Sequence, residues 1–108
     1  MRGFKVDNQT ILSKKFIKQK LVDNRKTLRK YGVKRIGLFG SYVRETATAA
    51  SDIDFLVELE RLTFRDYMGL ALFFEDLFKK NVDLVTRTSI KPGFKPYIEK
   101  EIEYIEEL

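Results

Sequence analysis

The chain contains no cysteine and no histidine. Without cysteine there is no disulfide, no thiol nucleophile and no thiolate zinc site. Without histidine the usual general base and the commonest transition-metal ligand are gone as well. Any catalysis must therefore run on carboxylates, hydroxyls, Lys or Arg. Long apolar runs are also missing. None approaches the roughly 20 residues of a membrane span, and the N-terminus carries no apolar segment of the signal-peptide kind. A soluble cytoplasmic protein without membrane contact is the expectation. With 108 residues at 44% hydrophobic content, the chain can bury one core and has no room for a second. Residues 1–108 are thus expected to form a single domain, with residues 1–9 a flexible or edge segment.

Charge is present in both signs but unevenly spread. Residues 1–39 carry 12 Lys and Arg against Asp7 and Asp23, a balance of +10, whereas residues 40–108 carry 9 against 14 acidic residues, a balance of −5. The basic part is mostly a helix candidate, so a solvated face with excess charge is its simplest reading. Phe4, Phe16 and Tyr31 are too sparse for a base-stacking platform, which argues against dedicated nucleic-acid binding. Steering of an anionic nucleotide is an equally good use of such a field.

The informative stretch is GSYVRETATAASDID, from Gly40 to Asp54. Apolar runs flank it: RIGLF (Arg35 to Phe39) and IDFLVEL (Ile53 to Leu59) both read as short buried strands. Asp52 and Asp54 stand two apart on the second strand, and strand side chains alternate, so both carboxylates are expected on one side. Two such carboxylates facing a Gly-Ser turn suit a divalent metal and a polyphosphate. Taken singly, each half is ordinary: Gly-Ser is a common turn and Asp-x-Asp a common strand edge. Their combination at this spacing between two strands is what carries the reading.

Elsewhere the pattern is α-β-(α)-β-α-β-α, a small mixed sheet of three or more strands flanked by helices. A Lys-rich helix is predicted from Thr10 to Tyr31, with Phe16, Ile17, Leu21 and Leu28 as its apolar stripe. Tyr42 to Glu45 could open a short helix, and Thr46 to Ser51 is a small-residue loop. A second long helix is predicted over residues 63–80. Its residues Phe64, Tyr67, Leu70, Ala71, Phe74, Leu77 and Phe78 share a face wide enough to cover a sheet. Met68, Leu72 and Phe73 fall outside that face, so this helix is a candidate for a homo- or hetero-oligomeric interface. Val82 to Thr86 is a third strand, and Gly93 to Leu108 reads as a closing helix whose acids Glu99, Glu101, Glu103, Glu106 and Glu107 form a solvated face.

The third strand supplies Asp83 between apolar neighbours, where a carboxylate needs a partner. If that strand lies beside the second, Asp83 joins Asp52 and Asp54 around one or two Mg²⁺ ions; the alternative is a turn contact at the strand entry. Mg²⁺ prefers oxygen ligands and leaves positions for substrate phosphates. Gly40 would let backbone approach a phosphate, and Ser41 would offer a hydroxyl and N–H groups to it. Arg44 is equally a phosphate contact or a surface ion pair.

The arrangement of Gly-Ser, spacer, Asp-x-Asp and a later strand Asp resembles the DNA polymerase β-like nucleotidyltransferase superfamily. The text RIGLFGSYVR…SDIDFLVE is most similar to its minimal nucleotidyltransferases, the MNT proteins, over most of the chain from about Lys15. The resemblance implies an α/β nucleotidyltransferase fold. It implies Asp52, Asp54 and Asp83 as catalytic metal ligands, and Gly40 and Ser41 as binders of the triphosphate of ATP. It further implies an antitoxin role opposite a HEPN-type helical toxin, exercised by moving AMP from ATP onto a tyrosine of that partner. The alternative is a catalytically weak antitoxin that neutralises its partner by occlusion. The spacer departs from the family, which commonly has Gly after the motif Arg and a Pro-Asp pair before Ser-Asp. Here those places hold Glu45, Ala49 and Ala50, and a like charge at Glu45 beside a triphosphate weakens phosphate binding.

Overall fold

The computed structural model describes residues 11–106 and 108. The segment at residues 1–9 and the predicted helix start at Thr10 lie outside the described residues. Ser13 caps the first helix, α1 (Lys14–Asp23), by accepting from the Phe16 N–H at 3.0 Å. The single long helix predicted through Tyr31 is broken at Asn24, and α2 (Arg25–Lys30) follows. The cause is local. The Asn24 side-chain amide donates to the Lys20 carbonyl at 2.8 Å, and its own N–H is shared between the carbonyls of Lys20 and Leu21. A short polar side chain bonded back onto its own helix competes with continuation of that helix. Ile17, Leu21 and Leu28 are buried as the stripe predicts, but Phe16 stays exposed, with the Lys20 ammonium 5.5 Å from its ring centre.

The chain continues through β1 (Val33–Phe39), α3 (Ser41–Arg44), β2 (Ile53–Leu59), α4 (Phe64–Phe78), β3 (Val82–Thr86) and a 3-10 turn at Arg87–Ser89. It finishes with α5 (Lys95–Glu101) and β4 (Glu103–Tyr104). The sheet order is β3-β2-β1-β4; β1 runs antiparallel to both β2 and β4, and β2 runs parallel to β3. This is the mixed sheet flanked by helices that the sequence pattern predicts. The closing helix over Gly93 to Leu108 is corrected: it stops at Glu101, and β4 pairs with Gly37 and Leu38. The edge of β1 would otherwise leave backbone groups unpaired. Instead Ile105, itself buried, donates its N–H to the Ile36 carbonyl at 3.0 Å.

One face of the sheet makes the core. Ile36 and Leu38 of β1 and Ile53, Phe55 and Val57 of β2 pack with Leu70, Phe74 and Phe78 of α4 and with Ile17 and Leu21 of α1. The Phe55 and Phe74 rings lie 4.9 Å apart. Thr63 caps α4 through its hydroxyl, which accepts from the Asp66 N–H, and the Tyr67 hydroxyl donates to the Leu84 carbonyl, tying helix to sheet. Phe64, predicted on the covering face, is 80% exposed, because it opens the helix beyond the reach of the strands. Met68 and Leu72 are exposed too.

Strand alternation puts Gly37, Phe39, Asp54, Leu56 and Asp83 on the opposite face. The C-terminal segment crosses that face where Gly37 lets it approach. A Cβ on Gly37 would stand 2.6 Å from Ile102 Cγ1.

Candidate active site

Three neighbouring strands bring the motif together through their register. Phe39, the last residue of β1, pairs with Asp54, and Asp54 pairs with Asp83 across the parallel β2–β3 ladder. The turn after β1 therefore stands beside a row of two carboxylates. Gly40 leaves the strand at φ 77 and ψ −155, a conformation that only glycine adopts readily. Its space is closed as well, since a Cβ there would lie 2.1 Å from Asp54 Oδ2. No other residue fits this position. Asp52 precedes β2 rather than lying within it, and its side chain, like that of Asp83, is exposed; Asp54 is half-buried.

Burial, followed by the charges of Asp83 and Asp52, pushes the Asp54 carboxyl up to about 6; Arg44 opposes this and Glu101 adds to it. Adjacent like charges on neighbouring strands cost stability, and a carboxyl so perturbed on an open face is a mark of functional sites.

Ser41 opens α3, whose turn is closed by the N–H groups of Val43 and Arg44 on the Gly40 carbonyl at 3.1 Å. Arg44 Nη1 meets Glu101 Oε1 at 2.7 Å, and the Gly40 N–H donates to Glu101 Oε2 at 2.6 Å. Of the two sequence readings for Arg44, the ion pair is the one present here. The solvated face expected of the C-terminal acids is corrected accordingly. Glu101 sits in the motif, Glu103 pairs with Lys14 at 3.1 Å and Lys18 at 2.5 Å, and Glu99 lies 3.7 Å from Arg87. The bonds from Lys18, then Lys14, hold the Glu103 carboxyl below its usual range. Glu107 lies outside the described residues.

Two site features had no clear signal in the sequence. Glu101 lies 61 residues from Gly40, so no local pattern links them. Lys80, at the end of α4, is buried and donates to the Ala49 carbonyl at 3.0 Å, pinning the spacer that leads to Asp52. The spacer itself is a Thr48–Ser51 turn, with the Thr48 N–H on Ser51 Oγ at 2.9 Å and the Ser51 N–H on the Thr48 carbonyl at 3.0 Å. Glu45 stands at φ 60 and ψ 33, in the left-handed region, as the residue ending α3. A glycine would meet this backbone need without the strain of a Cβ.

Among the described residues no group of three acidic side chains is gathered tightly enough to hold a metal as it stands. The donor set nevertheless suits Mg²⁺. Asp52, Asp54 and Asp83 offer only hard carboxylate oxygens, and a dication would offset both the burial of Asp54 and the repulsion from Asp83 and Asp52 that together lift its carboxyl.

Comparisons with known proteins bear on the family and the fold. A family model described as a nucleotidyltransferase domain matches residues 12–105. The protein adenylyltransferase MntA of Thermococcus cleftensis is 38% identical over 87 residues, covering 79% of this chain and 88% of that protein. A solved toxin–antitoxin structure with AMP-PNP superposes with a TM-score of 0.66 at 26% identity, covering 82% of this chain and 71% of that one. The tri-AMPylated Shewanella oneidensis HEPN toxin in complex with MNT antitoxin gives a TM-score of 0.57 at 26% identity, over 81% and 71% of the respective chains. The chain belongs to the nucleotidyltransferase domain family, among its minimal, protein adenylyltransferase-like members, and is an enzyme of that class. Among the described residues no helix is long and apolar enough to cross a membrane.

Proposed function

We propose that the chain is a single minimal domain that moves AMP from ATP to a hydroxyl, that of a tyrosine, on a HEPN-type helical toxin, and so acts as a cytoplasmic antitoxin. The observation that carries this reading is the register that sets Asp54 against Asp83 beside the Gly40 turn. Asp52, Asp54 and Asp83 would hold Mg²⁺, which when bound neutralises charge on the α-phosphate and the departing pyrophosphate. Gly40 and Ser41 would receive the β and γ phosphates through backbone N–H groups and the Ser41 hydroxyl, and Arg44 would join them by exchanging its Glu101 partner for a phosphate oxygen. The acceptor oxygen forms a bond to the α-phosphorus as the bond to the pyrophosphate oxygen breaks, and a carboxylate oxygen of Asp83 takes the acceptor's proton.

The open, solvent-facing position of Asp52 and Asp83 suits an acceptor delivered by another protein. Exposed Phe64, Met68 and Leu72 recur every four residues along α4, a stripe suited to a helical partner. The same stripe favours the second reading, an antitoxin that works by occlusion alone. Nucleic acid has no part in either, and the MntA adenylyltransferase and the AMPylated HEPN complex support the first.

The test incubates the full chain with labelled ATP, Mg²⁺ and a co-expressed HEPN-type partner. Label is expected on a partner tyrosine, and an Asp52→Ala/Asp54→Ala variant is expected to abolish it. Neutralisation that survives the double substitution, without any label transfer by the unaltered chain, would establish occlusion instead.

A further inference from the structure

Glu101 is the last residue of α5, and its carboxylate is held at both oxygens. Oε2 accepts from the Gly40 N–H at 2.6 Å, and Oε1 accepts from Arg44 Nη1 at 2.7 Å. Both donors belong to the set assigned above to nucleotide phosphates. Two oxygens on one centre, held by a backbone N–H and a guanidinium, present the same pattern as two oxygens of a phosphoryl group.

The carboxylate is poorly placed apart from these two bonds. It lies at the C-terminal end of a helix, where an anion meets the negative end of the macrodipole. It also adds negative charge beside Asp54. The helix carrying it is held chiefly through the residues that follow, where Ile105 is buried in the core and Glu103 pairs with Lys14 and Lys18. Most of α5 is exposed, and β4 contributes only Glu103 and Tyr104 to the sheet. The Glu101 carboxylate can leave both donors by rotation of its own side chain, with Ile102 and Ile105 staying seated on the sheet.

We propose that Glu101 is an internal competitor for the nucleotide's phosphates: it occupies Gly40 and Arg44 in the resting chain, and nucleotide binding displaces it. The proposal rests on the nucleotide reading of this site. Its consequence is a raised threshold for occupancy, because an incoming anion must outcompete a carboxylate already making two charge-assisted bonds.

Calorimetric titration with Mg²⁺ and AMP-PNP tests it on the full-length chain, with Glu101→Gln and Glu101→Ala beside the unaltered protein. Glu101→Gln is expected to bind with a Kd roughly tenfold lower, the net worth of one charge-assisted bond, and Glu101→Ala at least as tightly. Equal or weaker binding by both variants, with the unaltered chain binding, would overturn the competitor and leave the nucleotide reading intact. No binding by any of the three would overturn the nucleotide reading and the competitor with it. A second measurement needs no variant. On saturation with AMP-PNP the carboxylate ¹³C resonance of Glu101 should move to the position of a solvated glutamate, and a resonance that stays put would sink the proposal.

Discussion

Glu45 shows how much one backbone angle can say. A residue with a Cβ in the left-handed region costs roughly 1–2 kcal/mol against glycine, part of which glycine gives back as chain entropy in the unfolded state. With φ at 60 and its N–H on the Ser41 carbonyl, Glu45 stands where helices most often end on glycine. Glu45→Gly is therefore expected to stabilise the protein by about 0.5–1 kcal/mol, seen as a higher urea midpoint at unchanged slope. A lower midpoint would mean that Glu45 makes compensating contacts. Gly40 is the opposite case, since both its angle and the Asp54 oxygen exclude a side chain. The GS of the motif is legible in sequence; that its glycine is required twice over becomes visible only beside Asp54.

At the scale of elements, the strands and α4 were legible because their signals are local. Ile53, Phe55 and Val57 alternate inward along β2, and the capped, apolar α4 presents Leu70, Phe74 and Phe78 at helical spacing. Phe74 is the centre of that contact, fully buried between Phe55 and Phe78. Phe74→Ala should cost about 3–5 kcal/mol, measured by urea denaturation, and a loss below 1 kcal/mol would mean that α4 is not pinned there. The elements that sequence reading missed are those set by competition. Asn24 ends α1 because its amide bonds the Lys20 carbonyl, and β4 exists because β1 offers an edge. A two-residue strand rich in charge has no periodicity to detect.

For the molecule as a whole, the burial of Asp54, with Asp83 and Asp52 beside it, makes stability depend on pH. The folded protein keeps the Asp54 proton up to about pH 6, whereas the unfolded chain releases it near 3.8. Between these values the folded state binds more protons, so this contribution is fully present below about pH 4 and is lost as pH rises through 6. Asp54→Asn cannot ionise and should melt several degrees higher than the unaltered chain at pH 7.5, with the gap closing toward pH 4, in scanning fluorimetry without Mg²⁺. Millimolar Mg²⁺ should raise the melting temperature of the unaltered chain at pH 7.5 and leave the variant's nearly unmoved. Equal melting at every pH would remove Asp54 from the strained row.

The family was legible in sequence through the resemblance its motif carries. The Gly-Ser and Asp-x-Asp pair and three of the four strands among the described residues were legible through turn residues and alternation that act over a few neighbouring positions. The tertiary structure decided which residues meet. Placing Asp83 level with Asp54 is a matter of strand register, and seating Glu101 on Gly40 and Arg44 requires a segment 61 residues away to cross the sheet at Gly37. Contacts of that span depend on packing the whole sheet, so no local pattern along the chain can specify them.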